Sequence, residues 1–179
     1  MPETEGFNLD DAIRKVPDFP KPGILFYDIT SVLTNPDAFR YCIQSMVALY
    51  RDRKIDAVAA IESRGFIFAA PLCDRLGLPL ILIRKKGKLP GRTISQKYDL
   101  EYGQAEIEMH DADIPRDADI LIVDDLIATG GTVVAAAQLI ESVGSRVAGV
   151  FAAIGLPFLD YQAKLGETMV DTLIEYFGE

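Results

Sequence analysis

Short apolar runs alternate with segments of helical periodicity along most of this chain. Four runs have the length and aliphatic content of buried strands: Ala57–Ile61, Pro79–Ile83, Asp119–Val123 and Arg146–Ile154. Between them, 66–76 and 132–143 place apolar side chains at helical spacing, and each is followed by a glycine that ends a helix. This alternation predicts an α/β fold with a parallel core sheet flanked by helices.

The N-terminal part of the chain and residues 87–110 have different patterns. Residues 16–23 include three prolines, so we predict an extended arm after a short amphipathic segment. Asn35 followed by proline is typical of a helix start, and helical spacing continues to about Arg53. The segment 87–103 is long enough for a functional loop or a hairpin, and 106–110 is predicted to pair back on it.

Composition limits the class of protein. The 179 residues, 49% hydrophobic and 25% charged, predict one folded domain over 1–179. Apolar runs stay far below the ~20 residues that cross a bilayer, and the acidic N-terminus differs from a secretion signal, so we expect a cytoplasmic protein with no membrane partner. The net charge of −9 disfavours nucleic acid as a partner. Cys42 and Cys73 are expected to be reduced core thiols.

One segment departs from this acidic character. Six of the 18 basic residues fall within positions 84–97, and no acidic residue interrupts them before Asp99. Such clustering favours a small, highly anionic ligand, although a solvated surface strip is the alternative.

The residues that follow Val123 are the most informative for function. Asp124 and Asp125 come at the carboxyl end of a predicted buried strand, where open α/β sheets bind ligands. The next residues are small enough for backbone N–H groups and two hydroxyls to surround one phosphate at a helix start: Ala128, Thr129, Gly130, Gly131 and Thr132. With carboxylates that accept from ribose hydroxyls, the pattern predicts a ribose 5-phosphate site. It is neither a Walker A loop nor GxGxxG; an ordinary strand end and tight turn is the alternative.

Residues 120–132 resemble the signature of phosphoribosyltransferases that use 5-phosphoribosyl 1-diphosphate. Other segments resemble the adenine phosphoribosyltransferase family in particular: 17–26 its N-terminal arm, 62–66 its first diphosphate loop, 84–91 its basic loop and 98–103 the end of its mobile catalytic loop. The resemblance implies a Rossmann-like type I phosphoribosyltransferase fold. Residues 1–35 would form a hood over the base, and residues 86–103 a flexible loop. It also implies synthesis of AMP and diphosphate from adenine, a purine-salvage reaction.

The resemblance also assigns roles to residues. It places the sugar diphosphate against Arg64, Arg84, Lys85, Lys88, Tyr102, Asp124, Asp125, Ala128, Thr129, Gly130, Gly131 and Thr132. It places adenine against Leu25, Phe26, Tyr27 and Leu126 or Ile127, stacked on Phe26 and bonded by main-chain groups near Leu25 and Tyr27. The family usually has arginine where this chain has Tyr27, so a main-chain role is expected there. Glu101 is the expected acid/base, and Arg64 would stabilise charge on the leaving diphosphate.

Magnesium is the expected cofactor, bound mainly through the diphosphate rather than by a dedicated set of protein ligands. The resemblance further implies a homodimer. Three alternatives remain: a phosphoribosyltransferase for 6-oxopurines, a non-catalytic sensor of the sugar diphosphate or a nucleotide, and a dinucleotide-binding oxidoreductase. The chain has no spare length for the DNA-binding module of a sensor, and it lacks the glycine fingerprint of the oxidoreductases. His110, the single histidine, receives no role.

Overall fold

A computed structural model describes residues 7–99 and 103–178. The strands are β1 (Arg14–Pro17), β2 (Leu25–Asp28), β3 (Ala57–Ile61), β4 (Leu80–Lys85), β5 (Thr93–Asp99), β6 (Gln104–His110), β7 (Asp119–Ile127), β8 (Arg146–Gly155) and β9 (Val170–Glu175). The α-helices are α1 (Thr30–Leu33), α2 (Pro36–Tyr50), α3 (Gly65–Leu76), α4 (Gly131–Ser142) and α5 (Tyr161–Leu165). Short 3₁₀ helices cover Leu9–Ala12 and Pro157–Leu159.

Seven of these strands form one sheet in the order β5-β6-β4-β3-β7-β8-β9. The neighbours from β4 to β9 are parallel, whereas β6 pairs antiparallel with both β4 and β5. Alternate residues of β3 and β7 belong to two core clusters, one built with α2 and α3 and the other with α4. Because both faces are covered, these strands are continuous apolar runs. The predicted α/β fold is confirmed.

Helix boundaries follow local signals. The Asn35 side chain accepts hydrogen bonds from the N–H groups of Asp37 and Ala38 at 3.1 and 3.2 Å, and Pro36 opens α2. This helix ends at Tyr50, three residues before the predicted end. Gly77, with φ of +67°, ends α3 as predicted.

The N-terminal arm and the segment 87–110 both contain antiparallel strands. β1 and β2 form a two-stranded ribbon, separate from the large sheet, in which Val16 lies opposite Phe26. β5 pairs with β6 over seven residue pairs, which confirms the predicted hairpin within 87–110. No pattern in the sequence had suggested α5 or β9, the edge strand beside β8.

Two further observations concern the described residues. No helix there combines the length and the apolar character that crossing a bilayer requires. Cys42 and Cys73 are buried and unpaired, and burial raises the pKa of Cys73 to about 11.

Candidate active site

The site lies where the loops after β3 and β7 meet at the carboxyl edge of the sheet. β3 and β7 are parallel neighbours, so Glu62–Arg64 and the aspartates near the end of β7 come together. The Nε of Arg64 donates to Oδ2 of Asp125 at 2.6 Å, and Asp125 is 5% exposed. This ion pair joins two loops that are 61 residues apart in the sequence.

Gly65 allows this close approach. A Cβ built at Gly65 would lie 2.7 Å from the carbonyl oxygen of Val123 and 3.1 Å from the Cα of Asp124. The first turn of α3 therefore rests directly on the backbone of β7, which requires glycine at this position.

A cavity of about 110 Å³ lies at the N-terminus of α4. It is lined by the end of β7, the turn that follows and the first residues of α4: Asp124, Leu126, Ile127, Ala128, Thr129, Gly130, Gly131, Thr132 and Val133. Gly130 has φ of +76°, a conformation that glycine adopts freely. Backbone N–H groups at the positive end of α4 make this cavity suitable for a phosphate group.

A second cavity of about 330 Å³ adjoins the first. It is lined by residues of the β3 loop, β4, the β5–β6 hairpin and β7: Ile61, Glu62, Ser63, Arg64, Ile83, Lys85, Tyr98, Ile107, Asp124, Asp125, Leu126 and Thr132. Asp124, Leu126 and Thr132 line both cavities. The two therefore form one groove, with the phosphate-sized cavity at one end and the side chains of Arg64 and Lys85 at the other.

The two aspartates have different electrostatic environments. Burial, together with the negative charge of Asp125, raises the pKa of Asp124 well above its ordinary value. Asp125 is neutralised by Arg64, whereas the Oδ1 of Asp124 accepts only the N–H of Asp125 among the described bonds, at 2.8 Å. Asp124 therefore lines the groove as a carboxyl group whose ionised form would be stabilised by a hydroxyl or cation ligand.

Glu62 organises the basic loop after β4. Its Oε1 pairs with Arg84 at 3.0 Å, and its Oε2 accepts the N–H of Lys85 at 2.9 Å. Arg84 also donates to the carbonyl oxygen of Lys88 at 2.9 Å. Of the basic residues of this loop predicted to bind a ligand, Lys85 lines the large cavity, the Arg84 side chain is bonded within the loop, and Lys88 contributes main-chain groups to it.

Glu108 supports the same loop from β6. Its carboxylate, 2% exposed, accepts N–H groups from Lys88 and Leu89 at 2.9 and 3.0 Å and the hydroxyl of Thr93 at 3.0 Å, and it pairs with Lys86 at 3.3 Å. Burial raises the pKa of Glu108, but these bonds outweigh it and lower the value to about 2. Glu108 is therefore an ionised anchor for the loop.

Asp28 ends the second strand of the β1–β2 ribbon. The hydroxyl and the N–H of Thr30 donate to its Oδ1 at 2.6 and 3.0 Å. These bonds and, less strongly, the charges of Arg14 and Arg64 lower the pKa of Asp28. Phe26 contacts Phe19 edge to face, with ring centroids 5.0 Å apart.

The remaining residues of β2 lie against the protein interior. Tyr27 is 5% exposed, and its ring is on the inner side of the ribbon. Leu25 and Leu126 pack against the same core cluster. The predicted base-binding residues are thus distributed between the ribbon and the end of β7.

The structure brings most of the predicted residues to one groove: Arg64, Lys85, Asp124, Asp125, Leu126, Ala128, Thr129, Gly130, Gly131 and Thr132 line it. Glu101 and Tyr102 lie outside the described residues. Sequence reasoning did not assign roles to Glu62, Glu108 or Tyr98. A Cβ at Gly131 would be 3.8 Å from the ring of Tyr98 and 3.6 Å from the carbonyl oxygen of Asp99, so the end of β5 covers the start of α4.

Comparison with known proteins agrees with this geometry. Residues 28–171 match the model of the phosphoribosyl transferase domain family. The chain is 59% identical over 171 residues to the adenine phosphoribosyltransferase of Treponema denticola, an alignment that covers 96% of this chain and 90% of the relative. It is 47% identical over 169 residues to that of Kosmotoga olearia, covering 94% and 99%.

Solved structures give the same result. The adenine phosphoribosyltransferase of Thermoanaerobacter pseudethanolicus superposes with a TM-score of 0.89 at 44% identity, covering 94% of this chain and 100% of the other. The Saccharomyces cerevisiae enzyme, complexed with an imino-altritol bisphosphate and adenine, gives 0.86 at 36% identity, covering 93% and 96%.

Proposed function

The chain belongs to the adenine phosphoribosyltransferase family, and on that premise we propose how its groove performs the family's reaction. The reaction transfers the 5-phosphoribosyl group of 5-phosphoribosyl 1-diphosphate to adenine, giving AMP and diphosphate. The single observation that supports this assignment best is the joined pair of cavities that share Asp124, Leu126 and Thr132. A sugar with a phosphate at one end and a diphosphate at the other matches such a groove.

The 5′-phosphate is proposed to bind in the smaller cavity. The turn Ala128–Thr132 offers backbone N–H groups, two hydroxyls and the positive end of α4 to a single phosphate. The ribose then extends into the larger cavity past Asp124 and Asp125, whose carboxylates accept hydrogen bonds from its hydroxyls.

Adenine is proposed to bind between the ribbon and the end of β7, against Phe26 and Leu126. An aromatic face suits a purine ring. The ribbon has two strands, so alternate residues of β2 direct N–H and C=O groups to an edge that pairs with no other strand of the described residues. Tyr27 is buried on the inner side, so its main chain, rather than its side chain, is available to the base.

The leaving diphosphate is proposed to meet Arg64 and Lys85. Negative charge builds up on this group as the C1′–O bond breaks, and fixed cationic donors stabilise it. Removal of one such donor lowers the rate by about 10²- to 10³-fold. Arg64 is held in place by Asp125 at 2.6 Å, so its position is set before substrate arrives. Glu101 remains the proposed acid/base for the purine.

Magnesium is proposed as the cofactor. Asp124 and Asp125 supply hard oxygen donors at the larger cavity, but the described residues contain no group of three or more side chains able to hold a metal. The proposed cation is bound chiefly by the diphosphate and water, with the aspartates as nearby oxygens. When bound, Mg²⁺ neutralises part of the diphosphate charge. A homodimer, which the family resemblance implies, and a cytoplasmic location, which the sequence pattern favours, complete the proposal.

A base panel tests the proposal. Purified protein is incubated with 5-phosphoribosyl 1-diphosphate, Mg²⁺ and adenine, hypoxanthine, guanine or xanthine, and nucleotide and diphosphate are quantified. We expect AMP from adenine and little product from the 6-oxopurines. A preference for a 6-oxopurine would overturn the assignment of the base. Binding of the sugar diphosphate without any product would indicate a sensor.

A further inference from the structure

The C-terminal end of β9 contacts the inner side of the β1–β2 ribbon through two tyrosines. The rings of Tyr27 and Tyr176 are stacked, with centroids 3.8 Å apart and planes inclined by 14°. Tyr27 belongs to β2, and Tyr176 directly follows β9. The stack therefore joins elements 149 residues apart at a point next to Phe26.

Charged side chains hold the Tyr176 ring in this position. Its hydroxyl donates to Oδ1 of Asp10 at 2.5 Å, and the ammonium group of Lys15 lies 5.4 Å from the ring centroid. Lys15 and Asp10 form an ion pair at 2.7 Å. The hydrogen bonds from Lys15 and Tyr176 both lower the pKa of Asp10. Tyr176 is thus fixed on both its face and its edge.

The ribbon depends on such contacts for its position. Within residues 7–99 and 103–178 it has no strand pairing with the seven-stranded sheet, so no backbone ladder between the two sets its distance from the groove. The hydroxyl of Ser31 bonds to the carbonyl oxygens of Ala12 and Asp28 at 2.7 and 2.9 Å on one side. The Tyr27–Tyr176 stack supports the ribbon from beneath.

We propose that Tyr176 is a positioning residue for the base: its ring holds β2 so that Phe26 and the main chain beside Tyr27 stand at the correct distance from Leu126. This inference rests on the proposed binding of adenine under the ribbon. It also accounts for tyrosine at position 27, because an aromatic ring there provides the partner for Tyr176. In the proposed function the sugar diphosphate binds to the loops after β3 and β7 and to the start of α4. The ribbon contributes no residue to these sites, so its displacement should affect adenine rather than the sugar diphosphate.

Steady-state kinetics of Tyr176→Ala test the proposal, with adenine and the sugar diphosphate varied separately. Loss of the aromatic pair is expected to raise KM for adenine roughly three- to tenfold, whereas KM for the sugar diphosphate stays within about twofold. Tyr176→Phe keeps the ring and is expected to restore most of the adenine KM. Phe177→Ala is the matched control, because Phe177 is the adjacent aromatic and is 75% exposed; it should leave both constants unchanged.

Tyr176→Leu is a further variant, included in case Tyr176→Ala does not fold. Tyr176→Leu retains apolar volume without an aromatic face, and it is assessed by the same two constants after its thermal melt shows a folded protein. An equal rise in both KM values, or an unchanged KM for adenine in Tyr176→Ala and Tyr176→Leu, would overturn the inference alone. Wild-type protein that makes no AMP from adenine would instead refute the proposed function, and the inference with it.

Discussion

Gly65→Ala is expected to separate the two loops that build the diphosphate end of the groove. The new Cβ would lie 2.7 Å from the carbonyl oxygen of Val123, and ordinary contact begins at 3.4 Å. α3 and β7 must therefore move apart by about 0.7 Å, and both partners are backbone, which has no rotamer to yield. Overpacking of this kind costs about 1 to 3 kcal/mol.

This movement has separate effects on stability and activity. For a domain of this size, each kcal/mol lowers the melting temperature by about 2–4 °C, so a decrease of roughly 2–12 °C is expected. Arg64 immediately precedes Gly65 and bonds Asp125 at 2.6 Å, so a shift of this size displaces it from the diphosphate. Misplacement approaching 1 Å costs up to about 10²-fold. We expect kcat/KM for the sugar diphosphate to fall about 10- to 100-fold.

Calorimetry and steady-state kinetics measure the two effects. Gly149→Ala is the matched control, because Gly149 lies in strand β8 of the same sheet and its nearest atom to a new Cβ is at 3.5 Å. This change should be neutral or slightly stabilising. If Gly65→Ala melted and turned over like Gly149→Ala, the close approach of α3 to β7 would not position Arg64, and the reasoning would fail.

Three further predictions concern carboxylates. Glu101→Ala is expected to lower kcat by about 10²- to 10⁴-fold with little change in binding of the sugar diphosphate; normal turnover would remove Glu101 from the mechanism. Bonds from the loop lower the pKa of Glu108 from 4.5 to about 2, so wild-type melting temperature should fall as pH drops through this interval. Other carboxylates with lowered pKa values, among them Asp28 and Glu62, keep part of this dependence, so Glu108→Gln should show a smaller fall than wild type; parallel melting curves would contradict it. The pKa of Asp124 is raised above its ordinary value of 3.8 in the folded protein, so at pH above 3.8 this group destabilises the folded state relative to the unfolded state. Asp124→Asn should therefore melt at a higher temperature than wild type at pH 7. It should bind the sugar diphosphate more weakly in titration calorimetry. Asp125→Asn, which leaves Arg64 without its partner, should melt lower; the reverse order would refute this account.

The elements that were predictable from the sequence are those whose side chains are buried on both faces or whose ends have a cap. Ala57–Ile61 is buried at every position, so its composition alone indicates a central parallel strand. Asn35 and Gly77 act within one turn of their helices. The groove was predictable in part for the same reason, since Asp124 to Thr132 form one continuous stretch of chain.

The features that escaped prediction depend on contacts between distant segments. β9 is only half buried, and its residues pair with β8 at the edge of the sheet, so neither face has a clear apolar period. Glutamate is usually exposed, so the sequence gives no sign that Glu108 is buried. It becomes buried because the turn near Lys88 supplies two N–H groups to its carboxylate. Tyr176 has a partner only once β9 has been placed below the ribbon.

The carboxylates of the site differ in how much of their charge is already satisfied. Glu62 is bonded by Arg84 and by the N–H of Lys85, and Asp125 is paired with Arg64, so these two groups fix loop geometry. Burial and the charge of Asp125 make ionisation of Asp124 costly and raise its pKa. A ribose hydroxyl or a hydrated cation reduces this cost when it binds, so the same feature that destabilises the free protein adds to the affinity for the substrate. Higher stability and weaker binding in Asp124→Asn would therefore have one physical origin.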